Sequence, residues 1–332
     1  MVQTRGQDAL REHAERLGVD HEVEDPVKVR VGLGLAAPLR PEDLWPVVDT
    51  AEDIGMDSLW FAERLTGDQL SPIAAMAAVA ARTTRLRFGS SATILPGRDP
   101  VRLAKDLATI DVLSGGRLIP VLGLVAPHSG DRALLRVPHG AAGRWADESL
   151  SVLRRLWAGQ TIDHDGEFFQ YRDLRVGPRT ADSPHMDVWT AGHSAAAIQR
   201  AGRFADGWLP SFLPPEGYAP LAQQVIEAAG RAGRSWDLGH FGMVVPYVPA
   251  GKQDAAAPLL ERLSRRVPAE QRDEVVVRDP ADLLPRIERY VDAGASKFVA
   301  LPFARPDDWP TEIAWLQQAV AGPLREQGSP TM

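Results

Sequence analysis

A largely apolar run, Ser58-Leu59-Trp60-Phe61-Ala62, leads directly into the charged pair Glu63-Arg64. A strand buried on both faces needs such a run, so the charged pair marks where the strand emerges. A carboxylate at that point can carry a proton to or from a reacting group. Arg64 stays charged; it can stabilise an anion or bind an acidic substrate, but it cannot act as a neutral base. The plain alternative is a Glu–Arg pair that fixes a loop. A second candidate is Ala191-Gly192-His193-Ser194, at the start of a helical stretch over 194–204. Glycine beside serine at a helix start offers free N–H groups, a hydroxyl and the positive end of the helix dipole, a combination that suits phosphate. An ordinary serine N-cap is the alternative there. His128, in a Pro/Gly/His-rich stretch over 124–142, is a candidate proton donor or a solvated loop histidine. The histidines are scattered without HExxH or carboxylate–histidine spacing, so no metal is expected. Walker, GxSxG and basic–aromatic patterns are absent.

These residues need a scaffold, and the sequence supplies an alternating one. Over 86–93 it reads as a strand, then a loop ending in Gly97-Arg98-Asp99-Pro100, then a helix over 101–113. The turn Ser114-Gly115-Gly116-Arg117 follows, and a second apolar strand over 118–122. Two buried strands joined by a helix form a βαβ unit with parallel strands and a right-handed crossover. Similar alternation begins at residue 29 and continues through strands near 57–63, 185–192, 206–211, 240–248 and 297–303. Residues 161–185 read as an inserted hairpin and loop. This order predicts the α/β class and a (β/α)8 TIM barrel, with the site at the C-terminal strand ends. A doubly wound open sheet is the rival, but Gly32-Leu33-Gly34-Leu35-Ala36-Ala37 lacks the third glycine of its fingerprint. Residues 1–27 read as an N-terminal extension and linker with a short polar helix over 5–18, packed on the outside or partly disordered. Residues 28–332 read as one domain.

Composition narrows the function. A chain of 332 residues that is 44% apolar can bury a sizeable core, and a net charge of −7 argues against nucleic-acid or anionic-membrane partners. Zero cysteines exclude disulfides and thiol catalysis and fit a cytoplasmic protein. No apolar run is long enough to span a bilayer. The expected partner is a small-molecule substrate, together with a possible homodimer.

The string LPGRDPVRLAKDLATIDVLSGGRL over 95–118 resembles the bacterial luciferase-like family of flavin- and deazaflavin-dependent oxidoreductases. Supporting strings are AEDIGMDSLWFAE over 51–63, LSVLRRLWAGQTIDHDGEFF over 150–169, VWTAGHS over 188–194 and ADGWLP over 205–210. The resemblance implies a luciferase-like TIM barrel that transfers hydride between the deazaflavin coenzyme F-420 and a small organic substrate. It places Glu63 opposite the reacting ring, with Arg64 where the family commonly has histidine. It implies a non-proline cis bond at Ser91–Ala92 that props the ring from behind, and a phosphate held by Ala191, Gly192, His193 and Ser194. Trp208 is expected to wall the cleft, with Asp206-Gly207 serving packing and turn formation. Strand four departs from the pattern: of three family glycines only Gly123 remains, with Val121 and Val125 at the other two positions. That departure implies a narrowed or reshaped pocket, with His128 as a compensating proton donor. Two rival functions follow: an FMN-dependent monooxygenase using oxygen and a separate reductase, and a barrel without redox chemistry that serves as a non-redox catalyst or binding protein.

Overall fold

The apolar runs form eight short strands: β1 Arg30–Leu35, β2 Ser58–Phe61, β3 Arg87–Ser90 with Thr93–Ile94, and β4 Leu118–Ile119 with Val121–Gly123. They continue as β5 Trp189–Thr190, β6 Gly207–Trp208, β7 Gly242–Tyr247 and β8 Lys297–Pro302. The computed structural model describes residues 5–22, 28–36, 39–125, 129–181, 186–264 and 267–328. Pairing is parallel throughout, in the order β7-β8-β1-β2-β3-β4-β5-β6. Isolated parallel bridges, Trp208↔Phe241 and Ser211↔Val244, carry the pairing from β6 back to β7. This is the (β/α)8 TIM-barrel order that the alternation predicts.

Strand alternation sorts the side chains into two layers. Trp60, Ile119, Val121, Trp189, Val244 and Val299 belong to a cluster inside the barrel. Their sequence neighbours, among them Leu59, Phe61, Leu122 and Phe298, join the larger core under the helices. Two tryptophans fill the interior because glycines stand against them. A Cβ on Gly89 would lie 2.8 Å from the Trp60 ring, and one on Gly207 would lie 2.2 Å from the Trp189 ring.

The N-terminal strand ends are closed by polar devices. Lys297, 3% exposed, donates to Asp57 Oδ2 at 2.7 Å, and the Ser58 hydroxyl donates to the same oxygen at 2.6 Å. Burial alone would raise the Asp57 pKa, but the Lys297 ammonium and the Ser58 hydroxyl outweigh it and hold it below the usual value. Arg117, the last residue of the Ser-Gly-Gly-Arg turn, donates to the carbonyls of Ala80, Thr83, Leu86 and Ser114 at 2.7–2.9 Å. It also lies over the Phe88 ring. The most distinctive string of the sequence therefore ends in a clamp on the face opposite the expected site.

Two peripheral pieces complete the frame. Helix Arg5–Leu17 packs against helices Pro215–Arg231 and Leu283–Asp292. Its Leu10 and Ala14 join the main core, and its buried Gln7 amide donates to the Leu238 and Gly294 carbonyls. The sequence reading assigned no element between strand seven and residue 281. The structure has a helix there, Gln253–Ser264, and a separate small core of Val248, Ala256, Leu263, Val275, Val276 and Phe303. Only Ala256 and Leu263 of that helix are buried, too few to give a legible period. Among the described residues no helix is long and apolar enough to cross a membrane.

Candidate active site

The barrel mouth has a floor of small residues. Ala92 and Ala191 lie half-buried on top of the inner cluster, on β3 and just past β5. Between them stands Gly123 of β4, where a Cβ would lie 3.1 Å from the Ala92 Cβ and 3.5 Å from that of Ala191. Three adjacent strands thus carry only small side chains, or none, at this level. The interruption in β3 is the bulge the resemblance implies: the Ser91–Ala92 bond is cis. Ser91 N–H donates to the Phe61 carbonyl at 2.9 Å, and Leu95 N–H to that of Gly123 at 3.0 Å. The bulge is tied in this way to β2 and β4.

Glu63 leaves β2 beside this floor, but its carboxylate is already engaged. Oε2 accepts from the Ile94 N–H at 2.6 Å, and Oε1 accepts from the Arg98 guanidinium. The side chain is 4% exposed, against 33% for Arg98. Arg98 Nε also donates to the Ile94 carbonyl at 3.0 Å. The loop-fixing pair therefore joins Glu63 to Arg98 rather than to its neighbour Arg64. Arg64 itself is exposed at the rim, and its charge acts on Asp131. Asp131 is buried and accepts from the Thr66 hydroxyl at 2.7 Å. That bond chiefly, against the opposing effect of burial, holds its pKa below the usual value. The sequence reading did not single out Arg98 and Asp131 as partners of this segment; the residues they bond lie 35 and 65 positions away.

The second corner lies past β5. Gly192 has φ +93°, a conformation that glycine adopts without strain. Ser194 caps helix Ala195–Phe204, its hydroxyl accepting from the Ala197 N–H at 3.3 Å. The adjoining helix start, with His193 and Ser194, is exposed. Desolvation holds the His193 pKa below the ordinary histidine value, which favours the neutral ring.

Two expectations need revision or fall outside view. Trp208 does not wall the cleft: it is fully buried and packs on Tyr218 and Phe241. Its register, paired through Thr190 with the outward-facing Leu122, turns it toward the helices. It reaches the site indirectly, since its indole N–H donates to the Gly192 carbonyl at 2.8 Å. Asp206 serves packing, as expected, accepting from Arg154, Arg234 and the Val188 N–H. His128 lies outside the described residues. Among the described residues no group of three or more His, Asp or Glu side chains forms a metal site.

A model of the luciferase-like monooxygenase family matches residues 26–302. The chain belongs to the luciferase-like monooxygenase family. Among its relatives, an uncharacterized protein of Mycobacterium tuberculosis is 32% identical over 159 residues, 48% of this chain and 54% of that protein. The match thus spans about half the length of that relative. An F-420-dependent glucose-6-phosphate dehydrogenase of Amycolatopsis mediterranei is 27% identical over 303 residues, covering 78% of this chain and 88% of that enzyme. Among solved structures, an F-420-dependent secondary alcohol dehydrogenase in complex with an F-420–acetone adduct superposes with a TM-score of 0.75. It is 18% identical and covers 89% of this chain and 98% of its own. Membership of the luciferase-like family accounts for the barrel, and the cis bond stands where the resemblance to that family places it.

Proposed function

We propose that this luciferase-like barrel is an oxidoreductase that binds the deazaflavin coenzyme F-420 and moves hydride between it and a small organic substrate. The observation that carries the reading is the pairing of a flat apolar floor with an anion-binding corner. Ala92, Gly123 and Ala191 present only small side chains to a planar ring, and the exposed helix start at 193–196 suits a phosphate. The residues present fit such a cofactor, and the F-420-dependent relatives support this choice over FMN. The deazaflavin, when bound, supplies the hydride donor or acceptor. Ser91, at the cis bond, flanks the floor, and Gly192, His193 and Ser194 take the phosphate. Arg64 supplies positive potential at the rim. Glu63 acts as a positioning residue that holds the Ile94 amide and Arg98 against the bulge. Fluorescence titration with F-420 and FMN tests the assignment: F-420 binds more tightly, and tighter binding of FMN overturns the reading.

A further inference from the structure

The two glycines of β1 that resemble part of a dinucleotide fingerprint serve the barrel interior instead. A Cβ on Gly32 would collide with Ser58, and one on Gly34 would lie 2.5 Å from Leu301 Cδ1 and 3.0 Å from Val299 Cγ1. Register explains the second contact: Ala300 pairs with Leu33, so Leu301 stands beside Gly34. Leu301 alternates with Val299 along β8 and therefore points into the barrel. There it packs half-buried on the same inner cluster as Ala92 and Ala191. Strand β8 is four strands from β4 in either direction round the barrel, so Leu301 stands across the mouth from Gly123.

Ala92, Gly123 and Ala191 carry at most a methyl group, whereas Leu301 is a long side chain on the same cluster. A planar ring stacked on those methyls would have its edge at the height that a leucine reaches and an alanine does not. Leu301 has little freedom to move aside. Val299 precedes it in the inner cluster, Pro246 of β7 pairs with it on one flank, and the small core around helix Gln253–Ser264 touches it as well. Gly34 forms the other flank, and the missing Cβ there is what lets Leu301 Cδ1 lie across β1. A side chain at position 34 would meet the flexible end of Leu301 first and turn it to another rotamer, toward the mouth.

We infer, on the reading of Ala92, Gly123 and Ala191 as a ring floor, that Leu301 is the edge against which the cofactor ring seats. Gly34 is then a positioning residue that keeps this edge low enough for the ring to enter. F-420 is titrated by fluorescence into wild-type protein, Gly34→Ala, Leu301→Ala and the double variant, and urea unfolding of each is followed without cofactor. Gly34→Ala should weaken F-420 binding about tenfold or more. In the Leu301→Ala background the same glycine change should alter affinity less than about twofold, because no long side chain is left to be raised. Stability should behave differently, since the close approach to Val299 remains whether or not residue 301 is shortened. Leu301→Phe raises the edge with the glycine in place and should also weaken F-420 about tenfold, which keeps the test decisive even if Gly34→Ala does not fold. Equal effects of Gly34→Ala in both backgrounds, unchanged affinity in Gly34→Ala, or full affinity in Leu301→Phe overturns the inference. Tighter binding of FMN by the wild-type protein refutes the F-420 assignment alone, and the cycle is then read with FMN. Additive losses in protein that prefers F-420 refute the seating edge alone, and protein that binds neither ring refutes both.

Discussion

Replacing Glu63 distinguishes a group that moves protons from one that holds the site in place. Its carboxylate sits in a buried cluster with one short amide bond, from Ile94, and one ion pair, to Arg98. Glu63→Gln keeps an oxygen for one of these donors and turns an NH2 group toward the other. Removing one member of a fully buried ion pair costs about 3–5 kcal/mol. Arg98 is one-third exposed and regains water, so the expected loss is smaller, about 1–3 kcal/mol. Arg98→Met breaks the same contact from the other side and should cost a similar amount. The double variant should then lose markedly less than the sum, leaving a coupling of at least about 1 kcal/mol in urea unfolding. F-420 affinity should fall in parallel in both single variants, because both release the Ile94 segment behind the floor. Turnover should follow that affinity. The reasoning fails if the two substitutions are additive and Glu63→Gln alone lowers turnover roughly a hundredfold or more with cofactor affinity intact. That pattern would mark Glu63 as the proton carrier.

Gly192→Ala places a Cβ at φ +93° and 3.2 Å from the Ala197 Cβ. It should cost about 1–3 kcal/mol in chemical unfolding and weaken F-420 binding, and unchanged F-420 affinity would count against a phosphate at this corner. Lys297→Met strands the buried Asp57 carboxylate and should cost about 3–5 kcal/mol, whereas the double change with Asp57→Asn should recover most of it; equal losses would show that the pair is not coupled. The same pair predicts an acid-side effect. The folded-state pKa of Asp57 lies below its ordinary 3.8, so the unfolded chain takes up the proton first. Its contribution is complete above about pH 4 and is lost as the pH falls through the folded value. Urea midpoints compared at pH 5 and pH 3 should fall further for the native protein than for the double variant.

What the sequence disclosed and what it hid follow from range. Strands such as β2, β7 and β8 were legible because burial on both faces leaves an almost unbroken apolar run. The two-residue strands β5 and β6 are too short for such a run, and the alternation located them only within the longer stretches 185–192 and 206–211. The inserted helix at 253–264 shows too little of its buried face to register. Side-chain partnerships were least visible, since Glu63 meets Arg98 and Thr66 meets Asp131 only after the barrel has formed. Trp208 shows how fine the margin is. A strand end can be assigned from a motif, but a side chain points into or out of a barrel according to the parity of a single residue.

Strand four shows why a change in a familiar string has to be weighed by position. Val121 stands where the family pattern has glycine, and on sequence grounds it would narrow the pocket. It is instead wholly buried in the inner cluster with Trp60 and Trp189, below the floor rather than in the cleft. The position that governs the floor is Gly123, where any Cβ presses on Ala92, and there the glycine is retained. One residue further on, Leu124 is exposed. The departure therefore divides in two. At Val121 the change repacks the barrel interior below the floor, and at Val125 it leaves a half-buried side chain two residues past Gly123. Much of the family likeness lies in features such as the Arg117 clamp, which secure the opposite face and carry no information about substrate. Likeness along that string argues for the barrel, and the differences at the mouth are where this chain's own chemistry must be sought.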